Sequence, residues 1–227
     1  MKRLSSYQQF DQRLLPLKIF LLSLADPVSN IIDRSAESIL DVGCGQGLPM
    51  QMIKMRMRVK KSVGVDLFEP YLKECKRKKI HHEYVESDIR KLPFKDKSFD
   101  VVIALQVLEH LPKKDSWKVL EKMEKIARKQ IIVAMPIGEM YHPAVDGNEH
   151  QLHHSAFYPH ELEKKGFKII KMGRKSLLGE EGLVHKLNSD LARKTVYTFC
   201  LGLDFLFYFF QPLADYYFVA YKRVKNG

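Results

Sequence analysis

A chain of 227 residues with 45% hydrophobic content can bury one substantial core, so one domain with appendages is expected. Its 38 Lys and Arg against 27 Asp and Glu give a formal charge of +11, which favours contact with nucleic acid, anionic lipid or acidic substrates without identifying any of them. The three cysteines, Cys44, Cys75 and Cys200, are widely spaced; they supply neither a disulfide framework nor a zinc-ligand spacing and imply a reducing interior.

Lys2 and Arg3 open the chain, but the apolar stretch that follows is interrupted by Asp11, Arg13, Pro16 and Lys18 and lacks a cleavage-site pattern. Residues 1–35 therefore read as a helical cap and not as an export signal, and a cytoplasmic location is expected, with membrane association left open. From Ser38 onward short β-rich runs alternate with longer helix-like segments, the mark of crossover units and a mostly parallel sheet. The predicted strands are SILDV (38–42), SVGVD (62–66), HEYVES (82–87), FDVVIAL (99–105) and QIIVAM (130–135). An amphipathic helix, DSWKVLEKMEKIAR, precedes the fifth strand; Trp117, Leu120, Met123, Glu124 and Ala127 recur there at helical spacing. A Pro-, Gly- and His-rich stretch follows, then a short helix at PHELEKKG, a strand at FKIIKM and a last strand near DYYFVAYKRV. The segment 183–213 is anomalous, because TVYTFCLGLDFLFYFF is almost wholly apolar. It ends at Gln211, Pro212 and Asp215 and carries Asp204 inside. A spanning helix needs about 20 predominantly apolar residues, so a buried or acceptor-covering helix is the first reading. A peripheral membrane contact or a homodimer face through 195–213 is the second.

The string DVGCGQG (41–47) follows a predicted strand and opens a predicted helix. Gly43, Gly45 and Gly47 can then turn tightly and bring backbone close to a ligand. The next strand ends at Asp66, 23 positions after Gly43, where a carboxylate can accept hydrogen bonds from two ribose hydroxyls. Asp88, after the third strand, can accept an exocyclic adenine amine, and Ile89 offers an apolar face beside the ring. Three strand ends thus converge on one nucleoside-like ligand at the carboxyl edge of the sheet. A dinucleotide site is the rival, but its usual fingerprint is G-x-G-x-x-G, whereas this chain spaces its glycines G-x-G-x-G after Asp41.

Across about 38–173 this pattern resembles the class I S-adenosylmethionine-dependent methyltransferase superfamily, and in particular its small-molecule-type domain. The resemblance implies an α/β, Rossmann-like, doubly wound sheet of seven strands, mostly parallel, with an antiparallel last strand. The helical cap would precede it and the helical insert would lie before the last strand. It implies S-adenosylmethionine as cofactor, a cofactor-binding half over 36–135 and an acceptor-side half over 136–227. The cofactor would be held by Asp41, Gly43, Cys44, Gly45, Gly47, Asp66, Leu67, Asp88, Ile89 and Gln106, the last beside its methionine part.

Methyl transfer from a sulfonium is an in-line displacement on an activated donor, so the protein mainly aligns the partners and excludes water. Where the acceptor is a hydroxyl or a carbon acid, a base near the methyl helps. Glu109 and His110, after the fourth strand, are the nearest candidates by topology, with His150 and His153 of the cluster DGNEHQLHHSAFYPHEL (146–162) next. A subset of the superfamily binds a divalent metal through E-x-x-E-H at this place. This chain reads Gln106-Val107-Leu108-Glu109-His110, which replaces one hard anionic ligand by an amide, and no metal is expected. The basic runs KMRMRVKK (54–61) and KECKRKK (73–79) fall away from the acceptor mouth and read as solvated faces. A small or lipid-like acceptor is therefore the first reading. An RNA acceptor, or a non-catalytic cofactor-binding scaffold, is the alternative.

Overall fold

The computed structural model describes residues 27–140, 144, 146–172, 195–196 and 216–224. Its described elements run α1 (Pro27–Ile31), β1 (Ser38–Val42), α2 (Leu48–Arg56), β2 (Lys61–Asp66), α3 (Glu69–Arg77), β3 (Glu83–Glu86), β4 (Phe99–Leu105), α4 (Lys113–Ile126), β5 (Ala127–Pro136), α5 (Pro159–Glu163), β6 (Lys168–Met172) and β7 (Tyr217–Arg223). Short 3-10 turns at Ile89–Lys91, Leu108–His110 and Glu149–Gln151 punctuate the loops. Most of the cap over 1–35 and, apart from Thr195 and Val196, the apolar insert over 183–213 lie outside the described residues. No helix among the described residues is long and apolar enough to cross a membrane.

The strands form one sheet of seven in the order β3-β2-β1-β4-β5-β7-β6. Strands β1 to β5 pair in parallel, and β7 inserts antiparallel between β5 and β6. The expected fold class is thus what the chain adopts. Burial explains the strand composition: β1 is buried at all five positions and β4 at six of seven, as central strands covered on both faces require. The edge strand β3 instead exposes Glu83 and Glu86.

Alternation along β1 divides the core. Leu40 and Val42 face one layer with Val102, Ile131, Leu120, Met123 and Phe157. Ile39 faces the other with Ile103, Met50, Ile53, Leu72 and Cys75. Asp41, two residues after Ile39, therefore points into the layer built by α2 and α3. β1 connects outward to β2 on one side while β4 flanks it on the other, so the loops after β1 and β4 diverge and leave a crevice at their carboxyl ends.

Several boundaries differ by a residue or two from the sequence reading, and the junction before β5 differs most. The helix ends at Ile126, not Arg128, and β5 starts at Ala127, three residues earlier than expected. Ala127 is fully buried and pairs with Phe99. Arg128 Nε donates to Asp100 at 3.1 Å and its Nη2 to Ser38 Oγ at 3.0 Å, which fixes the chain as strand at the amino end of the sheet.

Ile103 is fully buried at the middle of β4, opposite Ile132 of β5 and Asp41 of β1. Ile103→Ala is expected to cost about 2–5 kcal/mol through lost transfer energy and the cavity left in a layer covered on both faces. Urea unfolding of the two proteins reads this directly, and a loss under 1 kcal/mol would show that the layer collapses around the gap.

Candidate active site

The crevice at the carboxyl ends of β1, β2 and β4 is a cavity of about 430 Å³, within the range of small-ligand sites. Gly43, Cys44 and Gly45 form its floor, Asp66 and Leu67 one wall, and Asp88 and Ile89 its far end. Gln106 and His110 enter from the loop after β4, and His150 and His154 from the segment after β5.

The floor follows from backbone constraints. The N–H groups of Gly43 and Cys44 both donate to Val65 O, at 2.8 and 2.9 Å, folding the loop back over β2. Gly43 has φ +70°, and a Cβ there would lie 2.5 Å from a Val107 methyl, so both conformation and space demand glycine. A Cβ on Gly45 would project into open space, as expected of a loop whose backbone faces a ligand.

Asp66 is held at the end of β2 by the loop itself. Gly45 N–H donates to its Oδ2 at 2.7 Å and Phe68 N–H to its Oδ1 at 2.9 Å. An ionised carboxylate offers about four acceptor positions, so about two remain for ligand hydroxyls. Burial raises its pKa, against the pull of those two N–H groups. Asp88 caps the 3-10 turn at Ile89–Lys91 and is gripped by Arg90, whose Nη2 donates at 2.5 Å and Nε at 2.9 Å. The hydrogen bonds from Arg90 hold the Asp88 carboxyl below the usual carboxylate range. Arg90 was not among the residues singled out from sequence. Gln106 adopts φ +58°, a left-handed conformation unusual for a non-glycine residue, and its N–H donates to Ala134 O at 2.9 Å.

Several residues stand elsewhere than the sequence pattern placed them. Asp41 is not on the cavity; it faces the α2–α3 layer, where Oδ2 meets His81 Nε2 at 3.0 Å. Gly47 also lies behind the cavity, at the start of α2, where a Cβ would lie 2.6 Å from Cys75 Sγ. Glu109 is fully buried beside His110, and neither carboxyl oxygen finds a hydrogen-bond partner. Desolvation pushes its pKa up to about 8, outweighing the weaker pull of its own and Val107's backbone. His153 stands one layer behind His110, ring centroids 4.9 Å apart, with Nδ1 2.9 Å from Met140 O. His154, not His153, is the neighbour of His150 on the cavity.

The segment after β5 is stitched down by backbone. His154 and Ser155 N–H donate to Glu109 O at 2.8 and 3.1 Å, so the loop after β5 registers on the loop after β4. Tyr71 of α3 closes the other side: its hydroxyl donates to Asp146 at 3.0 Å and accepts from Gln151 at 3.3 Å. Sequence reasoning passed over Tyr71, which sits in a charged helix with no motif to mark it. One ligand atom each of Glu109, His110 and His153 lie within 4.8 Å of one another, a group that can hold a divalent cation despite the amide at Gln106. The basic run on α3 is a solvated face, with Lys73 paired to Glu69 and Arg77 and Lys78 to Glu74.

Residues 40–135 match the family described as a methyltransferase domain. That match, over less than half of the chain, likens this stretch to methyltransferase domains. The chain is 31% identical over 106 residues to 27-O-demethylrifamycin SV methyltransferase of Amycolatopsis mediterranei, covering 42% of this chain and 36% of that protein. The chain spans between about a third and just over half the length of the curated relatives it matches. In fold it is similar to a SAM-dependent methyltransferase from Archaeoglobus fulgidus, with TM-score 0.57, 19% identity, and coverage of 96% of this chain and 100% of the other. It is also similar to magnesium protoporphyrin IX methyltransferase from Synechocystis PCC 6803, with TM-score 0.56, 15% identity, and coverage of 99% and 87%.

The raised pKa of Glu109 gives a signed expectation. Between its ordinary 4.5 and about 8 the unfolded chain ionises this carboxyl while the folded chain keeps it protonated. Its contribution to stability is therefore present below the lower value and lost as pH rises through the window. Thermal melts in chelator should show wild type losing more stability between about pH 5 and about pH 8 than Glu109→Gln. Parallel losses in the two proteins would show that the carboxyl is already ionised when folded.

Proposed function

We propose that the chain transfers a methyl group from S-adenosylmethionine to a small, hydrophobic acceptor. The observation that carries this reading is the single cavity that joins the glycine floor, Asp66 and the Asp88–Ile89 turn on one side to His110, His150 and His154 on the other. The open space beyond Gly45 and the unused acceptor positions of Asp66 fit the cofactor's backbone approach and ribose hydroxyls. Asp88 and Ile89 fit the adenine, and Gln106 the methionine part. When bound, the cofactor supplies a methyl group already activated by its sulfonium.

The chain's own residues then orient and deprotonate. The loop held by Val65 O and Val107 fixes the cofactor side, while the backbone of 154–155 on Glu109 O fixes the acceptor side. Alignment of this kind supplies much of the rate in a displacement that needs no covalent help from protein. His110, on the cavity wall, takes the proton from an acceptor hydroxyl or carbon acid as the new bond to the methyl carbon forms. His153 and the buried Glu109 lie behind His110 and hold its position. The apolar positions Leu105 and Leu111 on the cavity suit a hydrophobic acceptor, and among the described residues Arg90 is the one Lys or Arg that lines it. That wall, and the ion-paired basic face of α3, support a small molecule over RNA.

Calorimetric titration with S-adenosylmethionine and S-adenosylhomocysteine is expected to give micromolar binding that falls at least tenfold in Asp66→Ala. Folded wild-type protein that binds neither ligand would overturn the reading. With an acceptor found by screening lipophilic hydroxy and carboxylic acids, His110→Ala should lower turnover by about 10²–10⁴. An unchanged rate would remove His110 from the chemistry, and turnover of RNA with a steep salt dependence would replace the small acceptor.

A further inference from the structure

We propose that Cys44, Cys75 and His81 form a site for one thiophilic metal ion, zinc or copper(I), in the core directly behind the glycine loop. The three come from separate elements: the loop after β1, the helix α3 and the turn before β3. Their ligand atoms lie within 4.8 Å of one another, and all three residues are buried, at 4%, 0% and 4% exposure. Cys75 Sγ and His81 Nδ1 are 3.3 Å apart. Zinc bonds of about 2.3 Å to sulfur and about 2.0 Å to nitrogen set tetrahedral ligand atoms about 3.5–3.8 Å apart. Small side-chain adjustments therefore suffice to admit an ion.

The surroundings are those of a ligand set. His81 Nε2 faces Asp41 Oδ2 at 3.0 Å, and Asp41 is itself 2% exposed. A carboxylate accepting Nε2–H fixes the tautomer, so the Nδ1 lone pair is directed at the sulfurs, the arrangement that orients histidine ligands in metal sites. Two thiolates and an imidazole select a soft or borderline ion over magnesium or calcium. Three ligands suit copper(I) as they stand, and a fourth zinc ligand can enter from the cavity that Cys44 also lines. A metal here would tie the glycine loop to α3. The inference does not depend on the methyl-transfer reading.

The test is metal uptake by the full chain, reduced and stripped of metal. Native mass spectrometry with one equivalent of zinc or copper(I), and cobalt(II) absorption, are expected to show one ion per chain, thiolate-to-cobalt charge transfer and a higher melting temperature. Cys75→Ser and His81→Gln, each verified as folded by circular dichroism, should lose at least tenfold in affinity, while His153→Ala, which removes a ligand of the other cluster, should keep it. Reduced wild type that takes up no ion, or a cobalt complex without thiolate charge transfer, overturns the site whether or not the variants fold. So do folded Cys75→Ser and His81→Gln proteins that both retain the ion, or its loss in His153→Ala. Loss of two hydrogens on air oxidation, with no uptake by the reduced protein, identifies a Cys44–Cys75 disulfide pair in its place.

Discussion

Val107 lies so close beneath Gly43 that no side chain fits between the loop after β1 and the loop after β4. That contact sets the depth of the cavity floor. The strand order reverses between β1 and β4, so their exits diverge and open the crevice. A larger residue at Gly43 would push the two loops apart. The N–H groups that Gly43 and Cys44 lend to Val65 O, and the one that Gly45 lends to Asp66, would shift with them. The left-handed backbone at Gln106 belongs to the same constraint, because the chain must turn at once after β4 to bring Val107 under Gly43.

The two sides of the cavity are built differently. One hangs on three adjacent parallel strands, β1, β2 and β3, whose ends and following loops carry Gly43, Gly45, Asp66 and Asp88 to the crevice. The other depends on one segment, residues 146–155, held by the Glu109 carbonyl and by Tyr71.

Legibility in the sequence tracks this division. The strands SILDV and FDVVIAL are found with their exact bounds because buried parallel strands read as continuous apolar runs. Asp66, Asp88 and Gln106 are legible as cavity residues because each lies at the end of a strand or within two residues after one. What was missed needs side-chain direction or contact between distant segments. Asp41 sits inside the motif, yet the period-two alternation of β1 turns it away from the cavity. His153 and His154 are adjacent in a loop without periodicity, so nothing in the string tells which reaches the cavity. Arg90 and Tyr71 belong to charged segments whose ordinary meaning is a solvated face. The grouping of residues 44, 75 and 81 becomes visible only once β1, α3 and the turn before β3 are laid against each other.

Two polar assemblies are buried on opposite sides of the floor, and they differ in how their polar atoms are satisfied. Around Asp41, every donor and acceptor named above meets a partner, so the cluster contributes rigidity where the loop leaves β1. Beneath His110, the Glu109 carboxyl is buried whole with neither oxygen paired, an arrangement that costs on the order of 1–3 kcal/mol or more. Its backbone carbonyl alone accounts for the stitching of residues 154 and 155, which any residue could provide. An apolar side chain of similar size would fill the same space without the desolvation cost. Packing therefore does not explain the acid, and its titratable neighbours are the imidazoles of His110 and His153.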